Sequence, residues 1–274
     1  MQTTGISQRL QSLAVHAQTG DRQLCPRECQ SPGLDVSMAT TPGERYAAGM
    51  LVARMYRTAG YLDESHGESQ PFFTEHHSFD QATVFIARED HVVHGTISVV
   101  TDSVRGLPME SLYANELEAL RSIGRSPCEV CSLAVSLERE KTSSKVFLQM
   151  FRQATLFLLH FTQATDAIVT LKPSHQHFYE RCLGFVPFGQ PVRDARFKEA
   201  DTVAMRITRE KVTELYGSAE TFKRRQRLLL DVYTPPRSEE LRRLGAGISG
   251  KNTTPAERLA RERMRMLSVE RVAS

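Results

Sequence analysis

Glu129-Val130-Cys131-Ser132-Leu133-Ala134-Val135 is a short apolar run that opens on a carboxylate. After a polar stretch from Ser136 to Ser144, the segment Val146 to Phe161 is apolar on most of its helical circumference, with Val146, Phe147, Met150, Phe151, Leu158 and Phe161 among its members. The first run reads as a strand and the second as a core helix. A carboxylate at the mouth of such a core is stable at an opening, beside a partner, or with a raised pKa, and each case makes Glu129 a candidate proton acceptor. The plainer alternative is a strand end at which Glu129 faces water.

Working outward, the helical spacing of Leu112, Glu116, Leu117 and Leu120 predicts a helix from Met109 to Ile123 that stops at Gly124. Before it, Thr83–Arg88 and Val92–Val100 flank Glu89-Asp90 and predict a hairpin, with Gly95 marking a bulge or a close approach. Thr41 caps a helix running to Thr58, with Pro42 in the first turn and Glu44 near its positive end. Toward the C-terminus, Ala167–Leu171 reads as a strand and His175–Leu183 as a helix closed by Gly184. Phe185–Val192 and Thr202–Thr208 read as two more strands. The fold class that follows is α/β in the mixed α+β sense: a mixed sheet with helices on both faces, plus a C-terminal helical extension. Residues 1–41 are expected to be a mobile leader, 42–209 the domain, and 210–274 a basic extension with helices at Ala219–Tyr233 and Pro255–Val269 joined through Gly245 to Gly250.

A chain of 274 residues with 24% charged and 40% hydrophobic residues has an ordinary globular composition. Its formal charge of +3 is too small to imply nucleic acid. The surplus is local, because residues 211–274 hold 14 Lys/Arg against 8 Asp/Glu. No leader of secretory type and no run of about 18 apolar residues is present, so a cytoplasmic protein without a membrane span is expected, with peripheral contact only through a lipid product. Five cysteines fit reduced thiols. A zinc site from Cys25, Cys29, Cys128 and Cys131 is disfavoured, since odd spacing in a strand sends side chains to opposite faces. Adjacent histidines make Glu75-His76-His77 an equally poor metal motif, and no metal is expected.

Phe178-Tyr179-Glu180-Arg181-Cys182-Leu183-Gly184-Phe185 resembles the Phe-Tyr-x-x-x-Gly-Phe ending of GNAT-superfamily acyltransferases. That resemblance implies a largely antiparallel GNAT-like sheet, with the Tyr179 hydroxyl offered to a departing thiolate. Asp102-Ser103-Val104-Arg105-Gly106-Leu107-Pro108-Met109, Tyr113 to Leu120, and Gly124-Arg125 leading into Glu129–Val135 resemble the bacterial long-chain N-acyl amino acid synthases, relatives of the acyl-homoserine-lactone synthases. The likeness spans Glu44 to Thr208. It implies transfer of a fatty acyl group from acyl carrier protein to the α-amine of an amino acid. In the lactone synthases an arginine stands three positions after the glutamate; here that position is Ser132, which makes a homoserine-lactone product less expected.

Coenzyme A-dependent members of the superfamily carry a glycine-rich pyrophosphate loop after this strand, whereas Ser136 to Ser144 contains no glycine. A donor presented as acyl-phosphopantetheine on acyl carrier protein has no pyrophosphate to cradle, and Lys141, Ser143 and Ser144 would serve its single phosphate. A coenzyme A thioester is the alternative donor, and no permanently bound cofactor is expected. The assigned roles are Glu129 as base, Tyr179 as acid toward the thiolate, and backbone N–H groups freed by a bulge near Leu133, Ala134 and Val135 for the thioester oxygen. Phe147, Phe151 and Leu158 would line the acyl slot, and Ser103, Arg105 and Arg125 would hold the acceptor, the arginines through its carboxylate. His175 and His177 are alternative bases but suit capping better. Cys131 and Cys182 lack a basic neighbour that would activate a thiol. The rival readings are a coenzyme A-dependent short-chain acetyltransferase and a non-catalytic acyl-sensing module.

Overall fold

The computed structural model describes residues 34–62, 66–67, 69–136, 140–217 and 232–248, with the side chains of 140–142 excepted. The strands are β1 (Asp35–Met38), β2 (Ala82–Glu89), β3 (Val92–Thr101), β4 (Pro127–Val135), β5 (Asp166–Leu171), β6 (Val186–Asp194) and β7 (Ala200–Thr208). The helices are α1 (Pro42–Thr58), α2 (Glu110–Ser122), α3 (Glu140–Phe161), α4 (Gln176–Leu183), α5 (Arg209–Gly217) and α6 (Ser238–Ile248). One sheet takes the order β1-β2-β3-β4-β5-β7-β6, antiparallel throughout except where β4 meets β5.

Alternation along the strands sorts the two faces. Phe85, Ala87, Cys128 and Val130 point toward α3 and α4, while Val84, Ile86 and Ala134 point toward α1. The α3 to α6 side holds the larger core, and α1 and α2 cover the other side. The expected largely antiparallel sheet with helices on both faces is the fold observed. Thr41 and Glu44 form a reciprocal capping box at the start of α1, the Glu44 N–H donating to Thr41 Oγ1 at 3.2 Å and the Thr41 N–H to Glu44 Oε2 at 3.1 Å. Gly184 ends α4 in the left-handed conformation.

Several expectations change. Asp35–Met38 is a strand paired to β2, not part of a leader, and its short polar sequence gave no period to read. Helix α3 begins at Glu140 rather than Val146, because a polar first turn carries no apolar signal yet closes the same backbone hydrogen bonds. Gly245 to Ile248 lies inside α6 rather than in a linker: Leu244, Gly245 and Ile248 are buried in the α3-side core, so tertiary packing overrides glycine's poor helix propensity. Arg152 of α3 fixes α6 by a bidentate pair with Glu240 at 2.7 and 2.8 Å. This cover explains why α3 is apolar nearly all round. Cys25, Cys29, the N-terminal apolar turn, most of the Ala219–Tyr233 helix and all of Pro255–Val269 lie outside the described residues.

Candidate active site

Glu129 is a buried residue of β4, 2% exposed, and stands two positions inside the strand rather than at its end. Its neighbours Cys128 and Val130 point into the α3-side core, so its carboxylate lies on the α1 and α2 side. It pairs with Val100 on β3 and with Ile168 on β5. Pairing of β4 with β5 covers Pro127, Cys128 and Glu129 and then stops, although β4 continues to Val135 and β5 to Leu171. From Val130 onward, the β5-facing edge of β4 therefore has no strand partner.

The Met109 N–H donates to Glu129 Oε2 at 2.7 Å. Burial pushes the Glu129 carboxyl up to about 8, against the opposing pull of the Met109 hydrogen bond and of Arg196; Asp194 and Glu110 push the same way as burial. The Tyr56 phenol on α1 is raised by burial, with smaller contributions of the same sign from Cys131, Tyr61, Glu129 and Tyr179. Burial also raises the Tyr179 phenol, whose ring packs edge-on against Phe151 and Phe185 with centroids 5.6 and 5.5 Å away.

A bulge lies three residues beyond Glu129. Thr96 opposes Ala134 and Ser98 opposes Cys131, so Ser132 and Leu133 together face Ile97. Ser132 has φ +50°, a left-handed conformation that a serine adopts only when its surroundings hold it there. Ala134 is buried against Leu51, Val52 and Met55, while Leu133 and Val135 pack toward α3. His77 stands beside the bulge, with Nε2 3.5 Å from Ser132 Oγ and Nδ1 2.9 Å from Thr74 Oγ1. Burial lowers the imidazole to about 4, so it is neutral near pH 7.

On the other side of the sheet, a small apolar cavity of about 30 Å³ is bordered by Val130, Phe151, Ala154, Leu158, Phe185 and Tyr233. Phe151 and Leu158 thus line it. Phe147 does not; it packs at a tilt on Phe151 and edge-on against Phe178, with centroids 5.1 and 5.7 Å away.

The remaining expected residues scatter. Arg125 is held by Asp166, Glu210 and the Thr165 carbonyl at the start of β4 and is not brought to Glu129. Arg105 and Ser103 are exposed on the loop before α2; the Arg105 guanidinium lies 3.8 Å from the Phe79 ring centroid, and Ser103 Oγ donates to Gln81. Ser143 and Ser144 lie in the first turns of α3, with Ser143 Oγ donating to the Ser136 carbonyl at 3.1 Å, and the side chain of Lys141 is outside the described residues. Cys128 and Cys131 point to opposite faces. Among the described residues, no cluster of three or more His, Cys, Asp or Glu is placed to hold a metal.

Tyr56, Arg196 and Asp194 were not legible as site residues. Arg196 lies in the short turn after β6 and bonds Asp194 and the Pro108 carbonyl. No spacing in the sequence signals a contact that joins positions 56, 108, 129 and 196.

Known proteins resemble this chain in sequence and in fold. The family described as N-acyl amino acid synthase FeeM matches residues 47–208. Among solved structures, FeeM, an N-acyl amino acid synthase from uncultured soil microbes, is 29% identical; the alignment covers 64% of this chain and 90% of that one, with a TM-score of 0.54. The acyl-homoserine-lactone synthase LasI is 14% identical over 74% of this chain and 97% of its own, with a TM-score of 0.50, a likeness of fold alone. Among curated proteins, none matches this sequence.

Proposed function

This chain belongs to the N-acyl amino acid synthase FeeM family and is an N-acyltransferase, and we propose that it moves a long-chain acyl group from acyl carrier protein to the α-amine of an amino acid in the cytoplasm. The observation that carries this reading is the Glu129 carboxylate, buried at the last paired residue before β4 and β5 separate. A thioester inserted between the strands would meet the unpaired backbone edge of Leu133, Ala134 and Val135 beside a base.

In this reading the acceptor enters on the α1 and α2 side. Its amine loses a proton to ionised Glu129, directly or through water, and the nitrogen attacks the thioester carbonyl. The oxyanion is held by backbone N–H groups at the bulge, of which one donor is commonly worth about 10²–10³-fold. The C–S bond then breaks, and the sulfur leaves as a thiolate. Tyr179, whose phenol is held protonated by burial, donates a hydrogen bond to that thiolate. Full proton transfer is not required of it, since a thiolate with pKa about 8.5 is already a fair leaving group. The acyl chain passes between the strands toward Phe151 and Leu158 and widens the small cavity that they line.

The carrier-protein donor is supported by the absence of glycine from residues 136–144 and by the basic surplus of residues 211–274, which suits a strongly acidic partner. The test is to weigh lipid extracts of cells overproducing the protein by mass spectrometry, and to offer the purified chain the same acyl group on carrier protein and on coenzyme A. A new mass equal to fatty acid plus amino acid, formed faster from the carrier protein, is the expected result. Faster turnover of acetyl-coenzyme A would replace this reading with the short-chain one. No product from any donor would replace it with the sensing one.

A further inference from the structure

Pro108 and Met109 share one peptide group, and both of its polar atoms are occupied. Its N–H donates to Glu129 Oε2 at 2.7 Å, and its carbonyl accepts from Nη1 of Arg196. Arg196 is seated by the buried Asp194 carboxylate: Nε lies 2.9 Å from Oδ1, Nη2 lies 2.6 Å from Oδ2, and the Arg196 backbone N–H lies 3.0 Å from Oδ1. The result is a continuous line, Asp194 to Arg196 to peptide 108–109 to Glu129, built from three segments far apart in sequence.

We propose that Arg196, seated by Asp194, is the positioning residue for Glu129: by holding the Pro108 carbonyl it fixes and polarises the Met109 N–H that supports the ionised carboxylate. Its meaning for catalysis rests on Glu129 being the base, as proposed above; the coupling itself does not. A peptide whose oxygen accepts from a cation is a stronger donor through its nitrogen, because hydrogen bonds in series polarise one another where the surroundings are dry. The guanidinium is also suited to this task by being committed. Its fork is filled by Asp194 and Pro108, which leaves it a fixture of the site rather than a free clamp for an acceptor carboxylate.

The groups acting on Glu129 come from several elements, while its pairing partners Val100 of β3 and Ile168 of β5 carry no charge. The loop before α2 supplies the Met109 N–H, α2 supplies Glu110, and β6 with its following turn supplies Asp194 and Arg196. Cys128 and Cys131 of β4 and Tyr56 of α1 are coupled to it as well. Glu110 is itself neutralised by Arg121, at 2.6 and 2.9 Å. Arg196 is the cation whose charge opposes the burial of Glu129.

Difference infrared spectroscopy across pH, using Glu129→Gln to assign the carboxyl band, reads the Glu129 midpoint without any substrate. Arg196→Gln is expected to raise that midpoint by on the order of one pH unit, and to move the Met109 amide proton upfield in a ¹⁵N–¹H spectrum. Arg196→Met serves in its place if the glutamine variant does not fold. Arg196→Lys, which keeps the charge but loses the fork, should shift the midpoint by less. An unchanged midpoint in a folded neutral variant overturns the proposal. In a working enzyme the acid limb of the pH–rate profile should move with the midpoint. A wild-type protein that makes no N-acyl amino acid overturns the functional reading instead, and the infrared shift still decides the coupling.

Discussion

Glu129 of β4 and Ile168 of β5 are the last paired residues of the one parallel join among the described strands, and the two strands continue past them without pairing. A parallel pair has no tight turn to lock its far end. The bulge at Ser132 adds to the divergence by bending β4. The acid is thus fixed where the β4–β5 pairing ends, beside the unpaired backbone edge of β4.

Glu129→Gln should lower product formation by about 10²–10⁴-fold, the usual contribution of a general base. In the wild-type chain the rate should rise with pH through about 8, since burial holds the carboxyl protonated below that value. Steady-state rates across pH 6 to 9.5 check both. A pH profile identical in the two proteins removes Glu129 from the mechanism.

The same variant should be more stable than wild type at pH 8. Between pH 4.5, the ordinary value, and about 8, the unfolded chain releases the Glu129 proton while the folded chain keeps it. The folded state then binds more protons, so stability falls as pH rises across that window and levels off above it. Glutamine cannot ionise and retains an oxygen for the Met109 N–H. Its advantage should be absent below pH 4.5 and should grow to on the order of 4 kcal/mol by pH 8. Thermal melts of both proteins at pH 4.5, 6 and 8 read the difference.

Much of this fold could be read locally. The apolar run of β4, the all-round apolar α3, the Thr41 cap and the Gly184 stop are each encoded within a few residues. Glu129 and Tyr179 stand out as candidates because a carboxylate in an apolar strand and an aromatic pair before glycine contrast with their own neighbours. Arg125 is the complementary case: nothing near it in sequence shows that Asp166 and Glu210 hold its guanidinium. Tyr56 and Arg196 join the site only after the sheet has brought α1 and the β6–β7 turn to β4, a relationship that no periodicity contains. Strand β1 was missed because four residues, largely polar or partly exposed, gain their order from the β2 edge.

Gly95 marks a close approach that its sequence position had already suggested. A Cβ there would lie 2.5 Å from Val146 Cγ1 and 3.4 Å from Met150 Cγ, both on α3. Gly95→Ala should therefore destabilise the protein by about 1–3 kcal/mol, the range for overpacking a filled core. Urea denaturation should show a lower midpoint with an unchanged slope. A variant as stable as wild type would mean that α3 is free to shift away from β3.

Tyr179→Phe should be mild. The ring contacts with Phe151 and Phe185 survive the change, and the hydroxyl only assists a departure that a thiolate makes readily. A fall of less than about 10-fold in kcat is expected with an acyl thioester, given a thiol pKa of about 8.5. The loss should deepen with an oxygen ester analogue, whose alkoxide is a far poorer leaving group. Equal losses with both donors would make Tyr179 a packing residue only.

Ala154 lies on the α3 wall of the apolar cavity, one turn from Phe151 and one turn from Leu158. An acyl chain that widens this cavity would pass over its small side chain. Ala154→Phe places a ring in that space. The free space beside it is only about 30 Å³, less than the ring needs, so the substitution should cost about 1–3 kcal/mol by overpacking. Competition between donors of different length, with products weighed by mass spectrometry, should then show preference moving toward shorter acyl groups. Total turnover with the shortest donor should stay near the wild-type value, since Glu129 and the bulge lie across the sheet from this wall. An unchanged product distribution in a folded variant would place the acyl chain elsewhere and leave this cavity as plain core.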